Sequence, residues 1–257
     1  YAGTEFGMFI SLNDGQLWEP FQQNLPVTPI TDIKIHQNDL VLSTMGRGFW
    51  IMDDISALQD IVEASTESAY LFAPEDLDRL RFGGRFGGGG DGIRFPNPSI
   101  NIDYYLKETD GEVKLDILNA KGEVIKTFQS GKIEPFELGT VDMGTGILSS
   151  PPPSSGLNKN VGLNRFSWNM RHYGNWSKDP KRAYQGNGPM VAPGDFTIRL
   201  TAGDKVMTEK FTINPDPRNT LTTLEEMQEQ EAFSLNVRTF TDQVAMLIEE
   251  VDVKREA

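Results

Sequence analysis

The sequence predicts a mostly β chain that closes on a helix, and three observations carry that prediction. Apolar and polar residues alternate with period two in many short runs, as half-buried strands do. These runs fall in two blocks, 1–66 and 99–214, and the stretch between them, 67–98, is rich in glycine. From Pro215 onward the apolar spacing changes to alternating steps of four and three, which is the spacing of a helix with one apolar seam.

In the first block, Phe6-Gly7-Met8-Phe9-Ile10-Ser11 leads into Asn13-Asp14-Gly15, a hairpin signal because these residues tolerate positive φ. Trp18 stands in the return strand. After the Pro-bearing loop 24–29, Ile30, Ile33 and Ile35 begin a second pair, and 40–44 and 48–52 flank the turn Met45-Gly46-Arg47. Short strands in this order predict one four-stranded antiparallel meander, the size of a terminal β-propeller blade. A unit of that size cannot bury both faces alone. The connector 67–98 contains Phe82-Gly83-Gly84-Arg85-Phe86 followed by four more glycines. Ordering so many glycines is entropically costly, so a flexible linker is expected. A phosphate loop would need Lys-Ser/Thr after its last glycine, and none follows.

In the second block, Ile100, Ile102, Tyr104 and Leu106 alternate on one face, as do Val113, Leu115 and Ile117. The turn Ala120-Lys121-Gly122-Glu123 leads to Val124–Phe128. A Pro/Ser/Gly segment, 139–160, interrupts the pattern, which resumes at 163–170, 196–200 and 206–213. About seven short strands in a block of this length suit an immunoglobulin-like β-sandwich with Phe166 and Trp168 in its core. In the tail, Pro215-Asp216-Pro217 ends the last strand, and Thr222-x-x-Glu225 or Thr223-x-x-Glu226 offers a capping box. Phe233, Val237, Phe240, Val244, Leu247 and Val251 then form the seam of a helical segment, 215–257, whose partner helix is missing from the sequence. Tyr1–Ile10 reads as strand, turn, strand with no leader pattern. Both ends are therefore expected to be cut from a longer protein.

Composition narrows the functions. A formal net charge of −13 argues against nucleic acid, whose phosphates need a basic face. The absence of cysteine excludes disulfides and thiolate metal sites. Two histidines, His36 and His172, make a His-rich metal centre or a His-based triad unexpected, and no EF-hand pattern occurs. No metal and no cofactor are expected. No apolar run reaches the roughly 18 residues of a membrane span.

The motif richest in information is Ser11-Leu12-Asn13-Asp14-Gly15-Gln16-Leu17-Trp18. Asn13 can hydrogen-bond its own turn, Gly15 supplies positive φ, and Trp18 packs the hairpin. The run resembles the Asp-box, Ser-x-Asp-x-Gly-x-Thr-Trp, with Asn13 where the motif has Asp and Leu17 where it has Thr. Ser11, Asn13, Asp14, Gly15 and Trp18 are accordingly read as structural. Tyr1–Gly7, Asn24-Leu25-Pro26-Val27-Thr28-Pro29 and Gly46–Asp54 look like the last blade of bacterial BNR/Asp-box repeat propellers. Those proteins are labelled glycosyl hydrolases or sortilin N-terminal-like. Tyr104–Lys107, Leu118–Gly122, Gly162–Trp168 and Ala192–Thr197 resemble the immunoglobulin-like domain of flagellar hook-capping proteins. The resemblance implies an exported bacterial protein, secreted, periplasmic or on the cell surface, whose preceding blades are this chain's partners.

A propeller glycosidase flanks the scissile bond with two carboxylates roughly 5–9.5 Å apart. Arg47, Asp53 and Asp54 stand near strand ends and are candidates to face a propeller channel. Arg47 reads equally as a turn residue, and Asp53-Asp54 as a polar strand exit that caps 55–58. His172, Tyr173 and Trp176 share a loop and are candidates for an aromatic sugar platform, with packing as the competing reading. No catalytic residue is assigned. The expected role is a non-catalytic structural part that binds glycan or a cell-surface protein. The alternative is part of a sialidase-like glycoside hydrolase whose active site lies in preceding blades.

Overall fold

The computed structural model describes residues 1–80, 98–108, 110–131, 154, 156–179 and 182–256, so the Gly-rich run 82–92 and most of the segment 139–160 lie outside the described residues. The chain is mostly β with one long C-terminal helix, and it divides into two compact units, Tyr1–Ser68 and Ala69–Ala257.

The first unit departs from the expected single meander. Strands β1 (Ala2–Thr4), β2 (Gly7–Ile10) and β3 (Glu19–Pro20) form one three-stranded antiparallel sheet. Strands β4 (Ile30–His36), β5 (Asp39–Thr44) and β6 (Phe49–Met52) form another. The break falls after Pro20, which has no N–H for a ladder and keeps β3 a two-residue edge strand. The sheets pack against each other around buried Met8, Leu25, Leu40, Leu42 and Ile55. Gly3 marks the closest approach, since a Cβ there would stand 2.7 Å from Ile30 Cβ. Two single-turn helices, α1 (Ser56–Gln59) and α2 (Ile61–Ala64), end the unit. No closed propeller occurs among the described residues.

The second unit holds two sheets over one core. Part of the expected linker belongs to it, as strands β7 (Ala69–Leu71) and β8 (Leu77–Asp78). Strands β9 (Ile100–Leu106), β10 (Val113–Asn119), β11 (Val124–Gln129), β12 (Gly162–Trp168), β13 (Gly194–Ala202) and β14 (Lys205–Asn214) follow. Their order is β11-β10-β13-β14-β8 in one sheet and β12-β9-β7 in the other. Such short strands as β7 and β8 carry too few residues for a period to show. They are held because Ala69 and Leu71 bury their side chains, and Arg79 N–H donates to Asn214 O just beyond β8 (2.8 Å).

Alternation sets the core. Ile100, Ile102, Tyr104 and Leu106 of β9 face Leu115 and Ile117 of β10 and Ile198 and Leu200 of β13 in one apolar cluster. Trp168 lies in it edge-on to Phe196 and Phe211, at 6.0 and 6.4 Å between ring centres. Its Nε1–H donates to Arg171 O (3.1 Å), so the indole is buried without a wasted donor.

Helix α3 (Leu224–Glu256) begins at the second of the two capping boxes. Glu226 N–H donates to Thr223 Oγ1 (3.2 Å), and Thr223 N–H donates to Glu226 Oε2 (2.8 Å).

Trp168→Ala should lower the stability of the second unit by about 4 kcal/mol, the usual cost of a cavity left by a large aromatic residue. Urea unfolding followed by far-ultraviolet circular dichroism measures it. A loss below about 1 kcal/mol would show that the sheets do not share this core.

Candidate functional site

The hairpin that resembles an Asp-box is a closed set of local bonds. Ser11 Oγ donates to Asn13 Oδ1 (3.1 Å), Gly15 N–H donates to Ser11 Oγ (2.8 Å), and Leu17 N–H donates to Asn13 Oδ1 (2.8 Å). Asp14 and Gly15 both take positive φ, 55° and 83°. Asn13 needs only its carbonyl oxygen here, so the amide performs the turn-holding task that a carboxylate would. Trp18 lies against Gly15, and Asp14 is exposed.

Arg47, Asp53 and Asp54 do not converge on a cleft. Arg47 is exposed, and its carbonyl accepts from Trp50 Nε1–H (3.1 Å). Asp54, at φ 50°, accepts from Ser56 N–H (3.0 Å) and Ser56 Oγ–H (2.5 Å), which ties the strand exit to α1. A cleft of about 230 Å³ does lie between the two sheets, lined largely by Met8, Leu25, Leu42, Trp50 and Met52. Gln22, Gln23 and Asn24 also line it, and Gln22 donates to Leu25 O and Pro26 O and accepts from Met8 N–H.

In the second unit, loop residues 169–179 and 182–193 and helix α3 bring several titratable groups together. His172, Tyr173 and Trp176 are there, but all three are buried, so no open ring face is left for a sugar platform. The helix covers them. Met246 packs among Tyr173, Trp176 and Tyr184, and Tyr173 O–H engages Thr127 N–H (2.7 Å). Two glycines let the loop close on itself. A Cβ on Gly188 would lie 1.8 Å from Tyr173 O, and one on Gly174 would lie 2.1 Å from Gln185 O.

Sequence reading missed the groups that organise this region. Glu231 Oε1 pairs with His172 Nε2 (2.5 Å), and Glu231 Oε2 accepts Ala192 N–H (2.8 Å). Burial pushes the Glu231 carboxyl up, but the bonds from His172 and Ala192 and the nearby positive charges outweigh it, and the net shift is downward. Asp242 accepts Trp176 N–H (2.9 Å) and Asn175 Nδ2–H (3.2 Å), yet burial dominates and its pKa is raised. Arg238 donates to Tyr173 O (3.2 Å). The signal was the spacing 231, 238, 242, a polar stripe that alone reads as a solvated face.

Lys126 is the second missed residue. It is buried in β11, its Nζ–H groups reach His172 O (3.4 Å) and Gly186 O (3.3 Å), and it stands 5.3 and 5.7 Å from the ring centres of Phe128 and Tyr173. Desolvation pushes its pKa down to about 8. A cleft of about 540 Å³ opens beside the pair, between the β10–β11 turn and α3, with Glu123, Asp195 and Arg238 on its walls. No Ser, Thr or Cys is among its lining residues, and both Glu231 oxygens are engaged, one by His172 and one by Ala192 N–H. Among the described residues no cluster of three or more His, Cys, Asp or Glu could hold a metal.

No family model, curated protein or solved structure matches this chain. The geometry of the site is one of docking: backbone N–H groups of the loop donate to carboxylates of the helix.

Lys126 gives the second unit a defined pH response. Between pH 8 and the ordinary Lys value of 10.5, the unfolded chain carries a proton that the folded chain has released. The Lys126 contribution to stability therefore rises with pH through this window, by at most about 3 kcal/mol. Lys126→Met should remove that rise. Stability differences between the two proteins, from urea titrations at pH 7 and pH 10, decide it. A difference that stays constant with pH contradicts the assignment.

Proposed function

We propose that this chain is a non-catalytic structural and binding part of an exported bacterial protein. In this reading the two packed sheets of the first unit are neighbouring layers of a β-propeller, and the second unit is an immunoglobulin-like sandwich that presents helix α3. The observation that carries it is the outward face of the β4–β6 sheet. Phe49 is 79% exposed and Ile51 61%, beside half-buried Val41 on the same face. Such a face is unusual in water and suits a further β layer packed on it.

Two further points support the reading. The Asp-box-like hairpin spends its polar groups on its own turn. In the second unit Asp103 and Asp116 are paired with Arg165 and Arg199, and Glu231 and Asp242 accept backbone N–H groups from Ala192 and Trp176, so each of these carboxylates already holds a structural partner. The preceding blades are the proposed partners, with glycan or a cell-surface protein as the external ligand. No described helix is long and apolar enough to cross a membrane.

Intact mass and N-terminal sequencing of the natural protein test the propeller reading, which falls if the mass is close to 28.7 kDa. A substitution tests the stacked face. Ile51→Glu should change the stability of this chain by less than about 0.5 kcal/mol, as exposed sites usually do. In the natural protein the same change should cost about 2 kcal/mol, because a charge would enter a packed layer. Equal effects in both would mean that nothing covers the face.

A further inference from the structure

Helix α3 uses two opposite faces, and only one of them is occupied. The face against the sandwich carries Met227, Glu231, Arg238, Asp242 and Met246. The other face carries the apolar seam, and every member is open to solvent, from Val244 at 42% to Phe233 at 70%. The occupied face is thus the polar one, and the heptad seam is left over.

The seam has the register of a two-stranded coiled coil. Steps of four and three place Val237, Val244 and Val251 at the a positions and Phe233, Phe240 and Leu247 at the d positions. A period of 3.5 residues is matched by a second helix wound around the first, not by a sheet or a loop. β-branched residues at a favour two parallel strands when leucine stands at d; the seam has valine at each a position, with Leu247 at d beside the larger Phe233 and Phe240.

The flanking positions admit an identical helix. In a parallel pair each g residue faces the e residue of the next heptad on the other strand. Here those pairs are Glu229 with Ser234, Asn236 with Thr241, Gln243 with Ile248, and Glu250 with Arg255. None sets like charges together, although each chain carries a formal net charge of −13. The last pair is attractive. Ile248, 57% exposed at an e position, widens the apolar contact. Because the sandwich docks on the opposite face, the seam is open along its length.

We infer that a second copy of this chain covers the seam, through a parallel, in-register coiled coil over residues 233–251. Sedimentation equilibrium over a concentration series should reach a mass twice 28.7 kDa, and Val244→Lys or Leu247→Lys should return it to the single-chain value. Circular dichroism and thermal melting confirm that these exposed substitutions leave the fold intact. The chain has no cysteine, so single Phe233→Cys and Val251→Cys variants report register. Under oxidised glutathione, which takes up the two thiol hydrogens, each should give a disulfide dimer by itself.

Three results would overturn the inference. One is a mass that stays at the single-chain value across the series. Another is a dimer indifferent to both lysine substitutions, which places the contact elsewhere. The third is a disulfide that forms only when the two cysteine variants are mixed, which makes the pair antiparallel.

Discussion

A helix of 33 residues can turn any of its faces to a sandwich, and here the choice rests on two carboxylates that accept backbone N–H groups from one loop. Glu231 takes Ala192, and Asp242 takes Trp176. A buried amide without a partner costs on the order of 1–3 kcal/mol, so each bond fixes both the loop and the rotation of the helix. Had apolar burial alone decided, Phe233, Phe240 and Leu247 would point inward. They do not, because the loop's donors need acceptors more than the sheet needs another apolar layer.

The loop can offer those donors only because of how it is closed. Gly174 and Gly188 let two backbone stretches approach to distances no side chain would permit. That packing also traps Lys126 beneath His172 and Gly186, away from water. The same packing gathers a lysine whose charge is disfavoured, a histidine tied to a glutamate and a tyrosine tied to a strand amide. Here each is bound to a neighbour in a polar interior, and bonds of this kind hold the loop against the helix.

The two units differ in how far they complete themselves. The second has a continuous core between two sheets, centred on Trp168 and its two phenylalanine neighbours. The first has a core cluster of five buried apolar residues, and large apolar side chains on the outside of its second sheet. Small units of this kind are marginal alone, which is the physical ground for reading the first unit as part of a larger β assembly.

Much of the fold was legible from the sequence because it depends on local period. Alternation in Ile100–Leu106 and Val113–Ile117 fixed which side chains enter the core, and the turn chemistry of Asn13-Asp14-Gly15 fixed the hairpin. The 4-3 spacing after Thr223 located the helix and its seam. Strands β7 and β8 are too short to show a period, and the division of the first unit into two sheets depends on which edges find partners. The site was less legible still. His172, Tyr173 and Trp176 were visible as a cluster of types, but their burial depends on a helix roughly 60 residues away in sequence. Glu231 and Asp242 read as solvent-facing charges until the loop supplied N–H groups for them. Sequence determines what is periodic and local. Which face a helix shows, and whether a charge meets water or an amide, is decided by long-range partners that only the tertiary structure brings together.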